Sequence, residues 1–133
     1  MRELSNPFLL HGYVEPVYFC DRKQETKDMI SALKNGRNIV IFPEGTRSKN
    51  GNKMGEFHAG TFKCVTKSKA PIVPFALIDS FKVLDQDGCA PLKVQLHYLK
   101  PIYYEEYKNL KTNEIAEMVK TRIGEVIKMK AAI

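Results

Sequence analysis

The chain has 133 residues, 44% of them hydrophobic, a size and composition that suit a single domain spanning residues 1–133 with a real core and exclude a two-domain architecture. Lysine and arginine total 21 against 15 aspartates and glutamates, and the net charge of +6 favours acidic partners: phosphorylated small molecules, anionic membrane surfaces or nucleic acid. Cys20, Cys64 and Cys89 are odd in number and in no CxxC arrangement, which argues against a disulfide framework or a zinc site; no apolar run approaches the roughly 18 residues of a membrane-spanning helix, and the opening residues form no signal peptide.

Residues 1–15 carry weak structural signals, broken by Pro7 and Gly12, with Phe8-Leu9-Leu10 as an apolar patch that needs a cover. Val17-Tyr18-Phe19-Cys20 reads as a short strand from its β-favouring composition, followed by the charged turn Asp21-Arg22-Lys23. A helix is predicted from Glu25 to Lys34, where Met29, Ile30 and Leu33 share one face and Asn35-Gly36 supplies a C-terminal stop. The apolar run Asn38-Ile39-Val40-Ile41 then reads as a buried strand. Strand, helix and strand in succession imply parallel pairing through a right-handed crossover.

That strand opens into Phe42-Pro43-Glu44-Gly45-Thr46-Arg47-Ser48, and α/β proteins bind ligands outside the carboxyl ends of such strands. Gly45 lets the backbone approach a ligand, Thr46 and Ser48 offer hydroxyls, and Arg47 offers a planar fork for phosphate or carboxylate, with Glu44 placed to orient it. An ordinary turn with a surface ion pair is the alternative. Residues 49–56 are polar, as a loop over a site or a plain solvated loop would be. Phe57 to Lys67 reads as a helix with Phe62, Val65 and Cys64 inward and Lys63 and Lys67 outward. Arg47, Lys49, Lys53, Lys63, Lys67 and Lys69 together point to an anion site around the central loop.

Pro71 to Ile78 is a continuous apolar run, expected to be a strand buried on both faces, with Pro74 marking an edge, a bulge or an irregularity facing a ligand. Asp79, Asp85, Asp87 and Gly88 fit no calcium-loop pattern and read as a solvated turn, with no metal site. Lys93 to Leu99 alternates as a half-exposed strand does, with Val94, Leu96 and Tyr98 apolar. The last helix starts near Thr112 or Asn113 and carries Ile115, Met118, Val119, Ile123, Val126 and Ile127 on one stripe. The stripe reads as a docking face for the sheet; a basic membrane helix is the alternative, although Glu114, Glu117 and Glu125 interrupt its polar face. Tyr98, Tyr103, Tyr104 and Tyr107 could stack on bases, but no nucleic-acid-binding signature is present and no nucleic acid partner is expected. Neither GxxxxGK[ST] nor GxGxxG occurs, which excludes a P-loop enzyme.

The blocks together resemble the phospholipid/glycerol acyltransferase family, in particular the 1-acylglycerol-3-phosphate acyltransferases. Phe42-Pro43-Glu44-Gly45-Thr46-Arg47-Ser48 is similar to the family's third motif, Val73-Pro74-Phe75-Ala76-Leu77 to its fourth, and Phe19-Cys20-Asp21-Arg22 to the end of its second. Phe57-His58-Ala59-Gly60 and Lys100-Pro101-Ile102 stand where the family has an F-x-x-G and a KPI-like segment. The implied fold is α/β, a mixed, largely parallel sheet flanked by helices and incomplete at its N-terminus. The implied reaction moves an acyl group from acyl-CoA or acyl carrier protein to lysophosphatidic acid, without a resident cofactor, on the cytoplasmic side of an anionic membrane. Arg47 and Arg22 would hold the acceptor's phosphate, Glu44, Gly45 and Thr46 would shape that pocket, and Val73 with Pro74 would line the acyl or acceptor side.

The family's base is a histidine followed five positions later by an aspartate, N-terminal to all of these blocks. Five after His11 stands Pro16, five after His58 stands Lys63, and five after His97 stands Ile102. Pro16 also stands where the second motif usually has glycine. The resemblance therefore implies an N-terminally truncated domain; His58 lies near the right loop to be a substitute base, but with no orienting carboxylate at a fixed spacing it reads rather as a surface or capping histidine. A non-catalytic module for anionic lipid or a phosphorylated ligand is the rival reading.

Overall fold

The computed structural model describes residues 15–17, 23–85 and 91–131. Strand β1 (Glu15–Val17), helix α1 (Lys23–Lys34) and strand β2 (Ile39–Ile41) form the first unit, and β1 pairs with β2 in parallel, Val17 opposite Ile41. The parallel unit is the one expected from the sequence; its first strand is described over Glu15–Val17, and Tyr18, Phe19 and Cys20 lie outside the described residues. Helix α1 forms because Met29 is buried and Ile30 and Leu33 pack beside it. Two reciprocal bonds stop it: the Arg37 amide donates to the Ala32 carbonyl (3.0 Å) and the Gly36 amide to the Leu33 carbonyl (3.1 Å). This closure needs Gly36 at φ 88°, in the left-handed region that side chains disfavour. Its effect is to aim β2 at the loop that follows.

Residues 57–68 do not form the single helix predicted for Phe57 to Lys67. His58 is extended, a 3-10 turn covers Ala59–Phe62, and helix α2 occupies Lys63–Ser68. The Thr61 hydroxyl donates to the His58 carbonyl (2.7 Å), one of the local bonds that make threonine a turn residue, so the tighter turn comes first. The faces are as expected, with Phe62, Cys64 and Val65 buried and Lys63 and Lys67 exposed.

Strand β3 (Phe75–Ile78) is shorter than the apolar run that contains it. Pro74, which has no amide hydrogen to give, interrupts the ladder between β3 and an isolated bridge joining Ile72 to Ile102, while its carbonyl accepts the Leu99 amide (2.9 Å). Nor is the strand buried on both faces: Ala76 and Ile78 are fully buried, whereas Leu77 is 38% exposed. Helix α3 (Lys82–Asp85) follows, and β4 (Gln95–Tyr98) returns antiparallel, placing Leu96 opposite Leu77 and Tyr98 opposite Phe75. Among the described residues the strands thus form one parallel pair and one antiparallel pair, mixed but not largely parallel. The alternation in Lys93 to Leu99 identified a strand, but alternation is the same for either direction of pairing. The apolar side of β4 proves the more open one, with Leu96 49% and Tyr98 46% exposed.

Helix α4 (Tyr104–Tyr107) and helix α5 (Thr112–Ala131) complete the chain described. Helix α5 uses the expected stripe: Ile115, Ala116 and Val119 are buried, Met118 and Ile123 flank them, and the helix packs on β3 and the 3-10 turn. Tyr107 is fully buried among these residues, and its hydroxyl donates to the Ala70 carbonyl with the Val65 carbonyl 3.3 Å away. It closes the core and cannot stack on a base. No helix among the described residues is long and apolar enough to cross a membrane.

Candidate functional site

The site starts where β2 ends. Phe42 leaves the strand with its ring edge-on to Phe75 (centroids 6.2 Å apart), and the next residues turn sharply, the Gly45 amide donating to the Phe42 carbonyl (3.1 Å). Gly45 sits at φ 66°, which makes it the residue the turn requires rather than a convenience. Gly45→Ala is expected to cost about 1 kcal/mol of stability from the left-handed backbone alone, measured by denaturant titration.

The loop then folds back on its own beginning. The Glu44 carboxylate accepts the Gly55 amide at 2.6 Å, and the His58 amide donates to the Pro43 carbonyl at 2.8 Å. Inside this closure the Ser48 hydroxyl donates to the Lys53 carbonyl (2.6 Å) and accepts the Asn50 amide (3.2 Å). Met54 reaches helix α5, where a Cβ placed on Gly124 would lie 3.2 Å from the Met54 methyl. The result is a cleft of about 330 Å³ lined chiefly by Glu44, Thr46, Arg47, Lys49, Lys53 and His58.

Glu44 was expected to orient the Arg47 fork; its carboxylate instead holds the Gly55 amide and fixes the width of the cleft. Arg47, Lys49 and Lys53 are exposed at its wall, with Glu56 as the other carboxylate. Three cations at a strand end, one of them a guanidinium, can bind a phosphate by charge and by paired hydrogen bonds. The structure brings Glu44, Thr46 and Arg47 into this lining, with Gly45 as the turn between them. Val73 and Pro74 do not line it; Pro74 is buried beside the β3 ladder. Arg22 lies outside the described residues. Of the six cations read as one field, Lys63, Lys67 and Lys69 are absent from the lining, and Lys69 lies over the Tyr104 ring, 5.5 Å from its centroid. Among the described residues, no group of three or more histidines, cysteines or carboxylates could hold a metal ion.

The sequence pattern of the Acyltransferase family matches residues 11–78, just over half of the chain. The chain belongs to that family. A 1-acyl-sn-glycerol-3-phosphate acyltransferase of Saccharomyces cerevisiae is 31% identical over 125 residues, covering 84% of this chain and 40% of its own length. One of Helicobacter pylori is 28% identical over 117 residues, covering 75% of this chain and 49% of its own. The crystal structure of the 1-acyl-sn-glycerophosphate acyltransferase PlsC from Thermotoga maritima superposes with a TM-score of 0.70 at 23% identity, over 81% of this chain and 46% of that one, and so shares its fold. The chain therefore spans less than half the length of each of these acyltransferases.

Two residues outside the cleft lining, Asn52 and Asp79, bond each other and escaped the sequence reading. Asn52 looked like loop composition, and Asp79 looked like a solvated turn. Asp79 takes φ 65°, a left-handed position that aspartate tolerates better than most side chains, yet nothing in the sequence announces its partner.

Proposed function

We propose that this chain carries the acceptor-binding part of a 1-acylglycerol-3-phosphate acyltransferase, and that the cleft closed by Glu44 and Gly55 holds the phosphate of lysophosphatidic acid. The observation that supports it is the convergence of Arg47, Lys49 and Lys53 on one strand-end cleft in a chain of this family. In the reaction, the free hydroxyl oxygen of the acceptor attacks the thioester carbonyl of acyl-CoA or acyl carrier protein. The carbon–sulfur bond breaks, the thiol leaves, and a base takes the hydroxyl proton. Anchoring the phosphate makes that attack effectively intramolecular, and the cleft's contribution is this positioning. Arg47 provides the bidentate grip, Thr46 a hydroxyl at the same wall, and Lys49 and Lys53 the field that draws the anion in. The acyl donor is a substrate, and no resident cofactor enters this reading. The net charge of +6 supports work against an anionic membrane surface, on its cytoplasmic side.

The base is not assigned to this chain. None of His11, His58 and His97 is followed five positions later by aspartate, and His58, which lines the cleft, bonds the Pro43 carbonyl through its backbone amide. This favours, as the second reading, a chain that binds the phosphorylated lipid without completing the transfer.

Acyl transfer from radiolabelled acyl-CoA to lysophosphatidic acid separates the two. The 133-residue chain is compared with a version continued upstream through its reading frame. Phosphatidic acid formed by the continued version, and formed far more slowly by its Arg47→Ala variant at low acceptor concentration, is the expected result. Activity in the 133-residue chain that His58→Ala removes would move the base to His58. Failure of both versions would leave the binding reading.

A further inference from the structure

Asn52 and Asp79 face each other across 27 positions of sequence and make two hydrogen bonds: the Asn52 side-chain amide donates to the Asp79 carboxylate (2.9 Å), and the Asp79 backbone amide donates to the Asn52 side-chain carbonyl (2.8 Å). Asp79 is the first residue past β3, and Asn52 is the tip of the loop that follows β2. Beside this pair, Lys82 meets the other Asp79 oxygen at 3.2 Å, and a Cβ placed on Gly51 would lie 3.5 Å from the Phe81 ring. The hydrogen bonds from Asn52 and then Lys82 hold the Asp79 carboxyl below its ordinary range.

Neither residue lines the cleft, but the chain on both sides of Asn52 does: Lys49 and Asn50 precede it, and Lys53, Met54 and Gly55 follow. A polar loop of this length carries little apolar surface to order it, and its long cationic side chains lose rotamer freedom when they grip a ligand. The Glu44–Gly55 and Pro43–His58 bonds close the loop at its base and the Ser48–Lys53 bond ties it to itself, but none of these holds its tip to another strand. The Asn52–Asp79 pair pins the tip to the neighbouring strand end.

We propose that Asn52 is a positioning residue, latched to Asp79 so that Lys49 and Lys53 are already in place when the acceptor's phosphate enters the cleft. The inference rests on the acceptor-site reading above and adds to it the device that pre-orders the loop. Pre-ordering raises affinity by removing an ordering cost from the binding step, with no new contact to the ligand.

The test is a titration of the 15N-labelled chain with short-chain lysophosphatidic acid, followed through the amides of residues 44–58. Asn52→Asp sets a carboxylate against Asp79 and breaks the latch, and is expected to weaken binding about tenfold, the loss of one charge-assisted hydrogen bond. Asn52→Asp combined with Asp79→Asn restores a donor opposite an acceptor and is expected to recover most of the affinity. Thermal midpoints within about 2 °C of wild type in both variants would show that the loss is local. Binding by Asn52→Asp as tight as wild type, or a double variant as weak as the single one, would overturn the latch. Absence of binding by the wild type would overturn the acceptor-site reading itself and the latch with it, an outcome visible before any variant is made.

Discussion

Arg47→Ala is expected to weaken binding of lysophosphatidic acid by about 30- to 100-fold, and Lys49→Ala by less than fivefold. The difference follows from the two side chains' chemistry. A guanidinium presents parallel donors to two phosphate oxygens, and losing charge-assisted hydrogen bonds of that kind costs about 2–3 kcal/mol. An exposed ammonium on a flexible stem acts as a screened point charge, worth about 1 kcal/mol or less. Both residues are exposed and neither belongs to the core cluster, so neither substitution should move the thermal midpoint. Isothermal titration at two salt concentrations checks this: the Lys49 contribution shrinks with salt and the Arg47 contribution persists. Equal losses at both positions would mean a diffuse attraction of anions instead of a phosphate site.

Tyr107→Ala is expected to destabilise the fold by about 3–5 kcal/mol. The side chain is fully buried, and its removal opens a cavity beneath α5 while leaving the Ala70 and Val65 carbonyls without its hydroxyl. A pH effect accompanies it. Burial, with smaller contributions from Tyr104 and Cys64, pushes the Tyr107 pKa up to about 12. Below the ordinary tyrosine value near 10 both states keep the proton and the stability is complete. Between about 10 and 12 the unfolded chain releases the proton and the folded chain retains it, so stability falls by roughly 1.4 kcal/mol per pH unit. Tyr107→Phe keeps the ring, loses the hydroxyl bonds, and should remove this part of the alkaline dependence. Denaturant titrations at pH 9 and pH 11 compare the two chains, and an unchanged alkaline loss in Tyr107→Phe would assign it to other groups.

What the sequence disclosed was local chemistry, and what it withheld was pairing between distant segments. Gly36 and Gly45 could be placed because a stop and a sharp turn demand left-handed backbone, and both take it, at φ 88° and 66°. The α5 stripe was legible for the same reason: a period of 3.6 is written into Ile115, Val119 and Ile123, and the structure buries that side. The direction in which β4 pairs was not legible, since an alternating strand looks the same in a parallel or an antiparallel ladder. Glu44 was read with Arg47 because they are near in sequence, whereas its carboxylate accepts the amide of Gly55, eleven positions further on. Asn52 and Asp79, 27 residues apart, show the same limit at longer range: composition marks each as a turn residue and cannot say that the two turns meet. Val73 and Pro74, which the family resemblance assigned to the acyl or acceptor side, stand outside the lining of this cleft, and Pro74 accepts the Leu99 amide beside the ladder.

Recognition of phosphate by the cleft is what a titration tests most directly. The direct measurement is a paired titration of the 15N-labelled chain with short-chain lysophosphatidic acid and with the monoacylglycerol of the same chain length, read at the amides of residues 44–58 and of β3 and β4. A phosphate site gives saturable shifts centred on Arg47 for the phosphorylated lipid and none there for the monoacylglycerol. Equal shifts with both, or shifts confined to the open apolar face at Leu77, Leu96 and Tyr98, would contradict it.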